Sequence, residues 1–334
     1  MRSRFTLLVS LLVVPVLAAC ASMSSTTPPA QLSPQTRPVM QSVRADVRFG
    51  LTPMEIQSAK TARGVGYFHG DAKQAILFVS DIDSDAIRLF PANEKNPVQS
   101  GSITEGINLP VNVAVDNHGT IYVANNGNST VTEYPLGQTS PGVTLSGGQL
   151  VDPNGIAVDK KGVVYVTSGA SVGECYVLVY PKGSSSPSVQ INGFDLPVGL
   201  AIDKRGNLYV GDALENVVWK VPKGSTTPSS LNLSGLDDPT GVAIDPANNL
   251  WVANNRNDTV LGFHPGDTSP FVTITDGLLG PYTLAFERTG KLFVGNSLHS
   301  PGNVAGYKKG KTQPFESISI PNPAGLAVYP RPRL

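Results

Sequence analysis

The sequence predicts an all-β protein: a six-bladed β-propeller of four antiparallel strands per blade, closed by the C-terminal strand. Three observations predict it. First, a large apolar residue followed by Val recurs as Phe78-Val79, Tyr122-Val123, Tyr165-Val166, Tyr209-Val210, Trp251-Val252 and Phe293-Val294, at spacings of 44, 43, 44, 42 and 42 residues. A period in that range marks repeated supersecondary units. Second, a Pro-x-x-apolar-Ala-apolar-Asp motif lies upstream of that pair, at Pro110 to Asp116, Pro153 to Asp159, Pro197 to Asp203 and Pro239 to Asp245. Pro281 to Glu287 is a close fifth copy, and Pro323 to Tyr329 a sixth at the C-terminus. Third, 34 Gly and 28 Pro accompany only 15% charged residues, a turn-rich and charge-poor composition. Hydrophobic content of 40% supplies a core, which excludes wholesale disorder. Twenty-five basic residues balance 25 acidic ones, which argues against nucleic acid as a partner, because binding phosphates takes a surplus of Lys and Arg.

The N-terminus reads as an address. Met1-Arg2-Ser3-Arg4 is basic, Phe5 to Leu17 is almost wholly apolar, and the small residues Ala18 and Ala19 precede Cys20. That order predicts a secretory signal over residues 1–19. The apolar run is too short for a membrane span, which takes about 20 residues. Residues 20–63 read as a tether: Ala21 to about Pro38 is rich in Ser, Thr, Pro and Gln without apolar periodicity. Residues 52–62 suit one short helix, with Thr52 as N-cap and Pro53 at N1. Cys20 and Cys175 are the 2 cysteines of the chain. Cys175 opens the apolar run Cys175-Tyr176-Val177-Leu178-Val179 and reads as a small buried hydrophobe rather than a nucleophile.

The propeller is expected over residues 64–334. Strand a of each unit is the Ile-Ala-Val type, and a turn such as Asp159-Lys160-Lys161-Gly162 leads to strand b. A variable loop leads to strand c, which ends at Tyr134-Pro135, Tyr180-Pro181 or Val221-Pro222. A Gly turn then leads to strand d, as in Val189-Gln190-Ile191. Short β-branched runs bounded by Gly, Pro and Asn are strand signals. Pro before strand d suits an outer strand, where a missing N–H is tolerated. One such unit cannot bury both of its faces; a ring of them does, and removes most free edges. The last motif has no b, c or d strand after it, and the first unit starts near strand b at Phe78. Residues 324–328 are therefore expected to complete blade 1 as its strand a, with Gly64 to His69 the weaker competitor.

Two resemblances extend this reading. Leu17-Ala18-Ala19-Cys20 resembles the lipobox of bacterial lipoproteins. That implies lipidation at Cys20, and Ala21 in place of Asp implies the outer membrane by the same family's sorting pattern. The expected location is the bacterial cell envelope, lipid-anchored, at the outer membrane and periplasm or the cell surface. The segments Tyr122 to Val131, Trp251 to Val260 and Gly155 to Asp159 resemble NHL repeats. Related propellers include the SMP-30/gluconolactonase family and the virginiamycin B lyase group. Resemblance to the first implies a divalent metal held by carboxylates and Asn at the channel mouth, yet no strand a here starts with Glu or Asp. The lyase group uses His with Glu, and no Glu-x-His occurs. His69, His118, His264 and His299 are scattered, and only His299 is expected near the mouth. No phosphate loop or Cys/His metal spacing is present.

In a propeller the b–c and d–a loops share one face, here the upper, and the a–b and c–d turns share the lower. Strand b delivers Asp81, Asn125, Ser168, Asp212, Asn254 and Asn296 to equivalent upper positions. The starts of strand a add Asn112, Asn154, Thr240, Tyr282 and Thr283. Two readings stand: a polar ring for a cation, sugar or peptide, or Asn and Asp side chains satisfying loop backbone. Asp81 and Asp212 are the ring's carboxylates and the weak metal candidates, because Ca²⁺ takes six to eight oxygens, usually including several carboxylates. No cofactor is expected beyond such a divalent cation. Acids such as Asp83, Asp85, Asp152, Asp237 and Asp238 are assigned to upper loops, and bases such as Lys160, Lys161, Lys204, Lys308, Lys309 and Lys311 to lower turns. The expected function is a lipid-anchored, extracytoplasmic, non-catalytic monomer that binds a protein, peptide or carbohydrate through an acidic, Asn-rich upper face. The membrane is met through the anchor. The alternatives are a metal-dependent SMP-30/gluconolactonase-like hydrolase or lyase, and a structural component of the envelope.

Overall fold

A computed structural model of the chain describes residues 75–147, 149–169, 174–297 and 302–332. The chain divides into Met1–Val65 and Gly66–Leu334, and every described residue falls in the second unit. The signal, the Cys20 anchor, the 52–62 helix, the Gly64 to His69 alternative and His299 lie outside the described residues.

The described strands, in chain order, are β1 (Ile76–Asp81), β2 (Ala86–Pro91) and β3 (Gly101–Ile103); β4 (Pro110–Val115), β5 (Ile121–Asn125), β6 (Thr130–Tyr134) and β7 (Val143–Leu145); β8 (Ile156–Val158), β9 (Val164–Ser168), β10 (Cys175–Tyr180) and β11 (Val189–Phe194); β12 (Pro197–Ile202), β13 (Leu208–Asp212), β14 (Val217–Val221) and β15 (Ser229–Ser230); β16 (Pro239–Ile244), β17 (Leu250–Asn254), β18 (Thr259–Phe263) and β19 (Val272–Ile274); and β20 (Pro281–Phe286), β21 (Leu292–Asn296), β22 (Asn303–Tyr307), β23 (Pro314–Ser319) and β24 (Pro323–Tyr329). They form six antiparallel four-stranded sheets, each a blade. The ring closes in blade 1, where β24 pairs with β1 in register from Ile76 opposite Tyr329 to Ser80 opposite Gly325. The C-terminal motif is thus the inner strand of the first blade, as its missing partners required. Among the described residues no helix is long and apolar enough to cross a membrane.

Burial follows radial position. The inner strands β12 and β16 are buried along their whole length, whereas the outer strand β11 buries only Ile191 and Phe194. A strand covered on both faces reads as a continuous apolar run, and a half-covered one alternates. The motif glycine of strand a answers a close approach between blades. A Cβ at Gly155 would lie 2.0 Å from the Val198 carbonyl oxygen, and one at Gly199 would lie 2.4 Å from that of Thr240. Neighbouring inner strands therefore meet backbone to backbone around the axis. A ring of small side chains, Ala114, Ala157, Ala201, Ala243, Ala285 and Ala327, lines a narrow channel of about 140 Å³. Cys175 is half-buried at the start of β10, more open than its apolar run suggested, because the polypeptide is only entering the blade there.

Candidate functional site

The six side chains at the ends of strand b are all buried, with Asp81, Asn125, Asp212 and Asn254 at 0% exposure. They face the loop that enters their own blade rather than the channel. Asn125 Oδ1 accepts the Asn108 amide at 3.1 Å, Asn254 Oδ1 that of Asp237 at 3.3 Å, and Asn296 Oδ1 that of Leu279 at 3.2 Å. Asp212 accepts the amides of Asp195 and Leu196 at 2.8 and 3.0 Å. Ser168 Oγ accepts the Val151 amide at 2.8 Å. Each holds the segment just before the motif proline, which supplies backbone N–H groups that otherwise go unpaired in a buried turn.

Asn or Asp is chosen by what stands opposite. The amide groups of Asn254 and Asn296 also donate to the carbonyls of Gly235 and Gly277 at 2.9 and 3.0 Å. Asp212 meets only donors. Asp81 differs: Pro321 occupies the place where the other blades supply an N–H, and Asp81 Oδ1 is buried without a partner. Its other oxygen takes the Arg88 guanidinium at 2.6 Å and the Ser84 hydroxyl at 2.6 Å. Five of the six side chains thus hold entry-loop backbone, and Asp81 is held instead by Arg88 and Ser84.

The residues that do meet near the channel's upper mouth come from strand a. The Tyr282 hydroxyl lies 3.4 Å from Asn154 Oδ1, joining blade 6 to blade 3 across the opening. Burial pushes the Tyr282 phenol up to about 12, so it stays a neutral donor at any physiological pH. Asn112, half-exposed on blade 2, accepts the neighbouring Val113 amide at 2.9 Å. Thr240 and Thr283 are buried, and the Thr240 hydroxyl donates to the Pro281 carbonyl at 3.3 Å. Burial also raises the carboxyls of Asp152 and Asp238 above their ordinary range; for Asp238, Arg256 opposes that rise and Asp237 adds to it.

The lower end is closed differently. The repeated motif Asp is an Asx turn: Asp203 Oδ1 accepts the amides of Arg205 and Asn207, both at 2.9 Å. Beyond β24 the chain turns into the channel, and Arg331 Nη1 donates to the Val158 carbonyl at 2.8 Å. Burial lowers the Arg331 guanidinium, while Asp116 and Asp159 oppose that shift. The sequence reading missed this plug. The one signal for it is a Pro330-Arg331-Pro332 run following the last motif.

The family model described as the SMP-30/Gluconolactonase/LRE-like region matches residues 64–294. The chain belongs to the SMP-30/gluconolactonase/LRE-like family. No curated protein matches the chain. Among solved structures, a chain from the nidogen/laminin complex is similar, with 16% identity and a TM-score of 0.64 over 76% of this chain and 98% of that one. A protein of unknown function from Bacteroides caccae has 12% identity and a TM-score of 0.60 over 77% and 99%. A functionally unknown protein from Desulfotomaculum acetoxidans has 15% identity and a TM-score of 0.51 over 72% and 77%. These likenesses speak to the fold of this SMP-30/gluconolactonase/LRE-like chain.

A resident divalent cation does not fit the donor set of this member of the family. Asp81 is directed to a guanidinium and Asp212 to backbone amides. Asn112, Asn154 and Tyr282 are neutral. Among the described residues no group of three or more His, Cys, Asp or Glu side chains could hold a metal ion.

Proposed function

We propose that the propeller is a non-catalytic binding module whose upper mouth receives an uncharged polar ligand, a carbohydrate or a peptide backbone, on Asn112, Asn154 and Tyr282. One observation carries this reading: the phenol of Tyr282 and the amide of Asn154 converge at 3.4 Å from opposite sides of the opening. A neutral phenol donates and accepts, and a carboxamide does both, the pairing that hydroxyl and peptide groups require. Neither group is a nucleophile or base at neutral pH. The reading also includes lipidation of Cys20, a tether over residues 20–63, residence in the bacterial envelope and a monomeric chain.

Family membership supports the rival reading, a metal-dependent hydrolase. The full chain, assayed with gluconolactone and Ca²⁺, Mn²⁺ or Zn²⁺, is expected to leave lactone opening at its spontaneous rate. Metal-dependent turnover lost in Asp212→Asn would overturn the binding reading. A panel of immobilised glycans and peptides is expected to retain the chain, and Tyr282→Phe to lower retention several-fold. Incorporation of an alkyne-labelled fatty acid, lost in Cys20→Ser, tests the anchor.

A further inference from the structure

Blades 5 and 6 leave an open groove of 380 Å³ on the lower face, opposite the Tyr282 mouth. Its wall is aromatic. Trp251 of β17 meets Phe271 edge-on, with ring centroids 5.7 Å apart at 85°. His264 lies flat against Phe271, at 4.2 Å and 9°. Phe271 is 44% exposed. The corresponding position before strand d holds Ser100, Gly142, Ser188 and Pro228 in blades 1 to 4.

The rim is basic. Lys308, Lys309 and Lys311 stand exposed on the c–d turn of blade 6 along the groove. None of the three is in an ion pair among the described residues. The one carboxylate in the wall, Asp245, is already engaged: Oδ1 accepts the amides of Ala247 and Asn249, and Oδ2 accepts Asn249 Nδ2 and Trp251 Nε1 at 2.9 and 3.1 Å. Its single charge is held against its own turn and is outnumbered by the three rim ammonium groups.

The geometry points to a second ligand site in this groove, for a small molecule with a flat aromatic body and a carboxylate. The volume lies within the range of small-molecule sites, which are mostly apolar with a few placed polar groups. Flatness follows from the Trp251 and Phe271 rings that line the groove, since offset or edge-on ring contacts favour another planar ring. The acid follows from the rim, where charge-assisted contacts to ammonium groups outweigh neutral ones.

The test titrates the full chain with 2-naphthoate and with neutral 2-naphthylmethanol, followed by ligand-observed NMR. Saturable 1:1 binding of the acid, about ten-fold tighter than the alcohol, is expected; ten-fold is about 1.4 kcal/mol. Phe271→Ser keeps the fold, because blades 1 and 3 carry Ser there, and is expected to weaken both probes about ten-fold. Lys309→Gln with Lys311→Gln is expected to remove the preference for the acid and spare the alcohol. Tyr282→Phe, on the other face, is expected to leave the affinity for the two naphthyl probes as it was. The absence of saturation, binding indifferent to Phe271→Ser, a preference that survives loss of the lysines, or loss of binding in Tyr282→Phe would each overturn the proposal.

Discussion

The seam between blades 6 and 1 and the seam between blades 5 and 6 are built on one pattern and filled differently. In each, an aromatic residue of strand b faces a glycine of strand c: Phe293 with Gly306, and Trp251 with Gly262. In each, strand d follows with Pro-Phe, at Pro314-Phe315 and Pro270-Phe271. The next residue decides the outcome. Glu316 lies over Gly306, where a Cβ would meet its carboxylate, and Lys291 comes within 2.7 Å of it. Lys291 also donates to the Ala92 carbonyl of blade 1 at 2.7 Å, and sits 4.5 Å from the Phe293 ring centroid. In blade 5 the same two positions are Val272 and Asn249. Val272 is too short to fill the space, and Asn249 turns to Asp245 and His264. One seam is therefore a sealed joint and the other a cavity, from two side chains.

The ring-closing seam is expected to be the one the fold cannot lose. Ending the chain at Asn322 removes β24 and leaves β1 with a bare inner edge; the expected result is no cooperative thermal transition, read by near-ultraviolet circular dichroism. Next in size is Glu316→Gln. It leaves the Lys291 ammonium buried against carbonyls and rings without its anion, at a cost of about 3 kcal/mol in urea unfolding. Replacing both residues, Lys291→Met with Glu316→Leu, is expected to recover most of that loss, because a buried ion pair and a well-packed apolar pair are often of similar stability. If the double variant is as unstable as the single one, the pair is not what seals the joint.

The fold was legible because its signals repeat. Pro153, Pro197 and Pro239 each open the same short segment, and a period of about 43 residues leaves few architectures. The ends of strand b were legible only as positions. Asn254 and Asp212 align in sequence, but whether such a side chain faces a channel or its own entry loop depends on backbone groups some 17 residues away. Sequence spacing carries no such information. The upper mouth was partly legible, since Asn154 and Tyr282 were singled out, but their meeting across 128 residues depends on ring closure. The lower groove was within reach: Phe271 and Phe315 follow Ser100, Gly142, Ser188 and Pro228 at one repeated position. It went unread because an aromatic residue in a strand is by default a core residue.

Two smaller effects sharpen the contrast between seams. Grafting the sealed pattern onto the open one, with Asn249→Lys and Val272→Glu, is expected to close the groove and lower 2-naphthoate affinity about ten-fold, with stability held to within about 1 kcal/mol. Retained affinity would show that the ion pair does not account for the difference between seams.

The smallest effect compares the two phenylalanines. Phe315 lies beneath two ammonium groups, Lys291 at 4.9 Å and Lys308 at 5.2 Å, and each such contact is worth about 0.5–2 kcal/mol. Phe271 is 44% exposed and has two ring partners, Trp251 edge-on and His264 stacked. About half of its transfer energy is realised, roughly 1 kcal/mol. Phe271→Ser is thus expected to lower the melting temperature by about 3 °C, at 2–4 °C per kcal/mol for a domain of this size. Phe315→Ser is expected to lower it about twice as far, because it also strips the cover from Lys291. Equal shifts would mean that the open groove is held as tightly as the sealed joint, and that its aromatic wall serves packing before it serves a ligand.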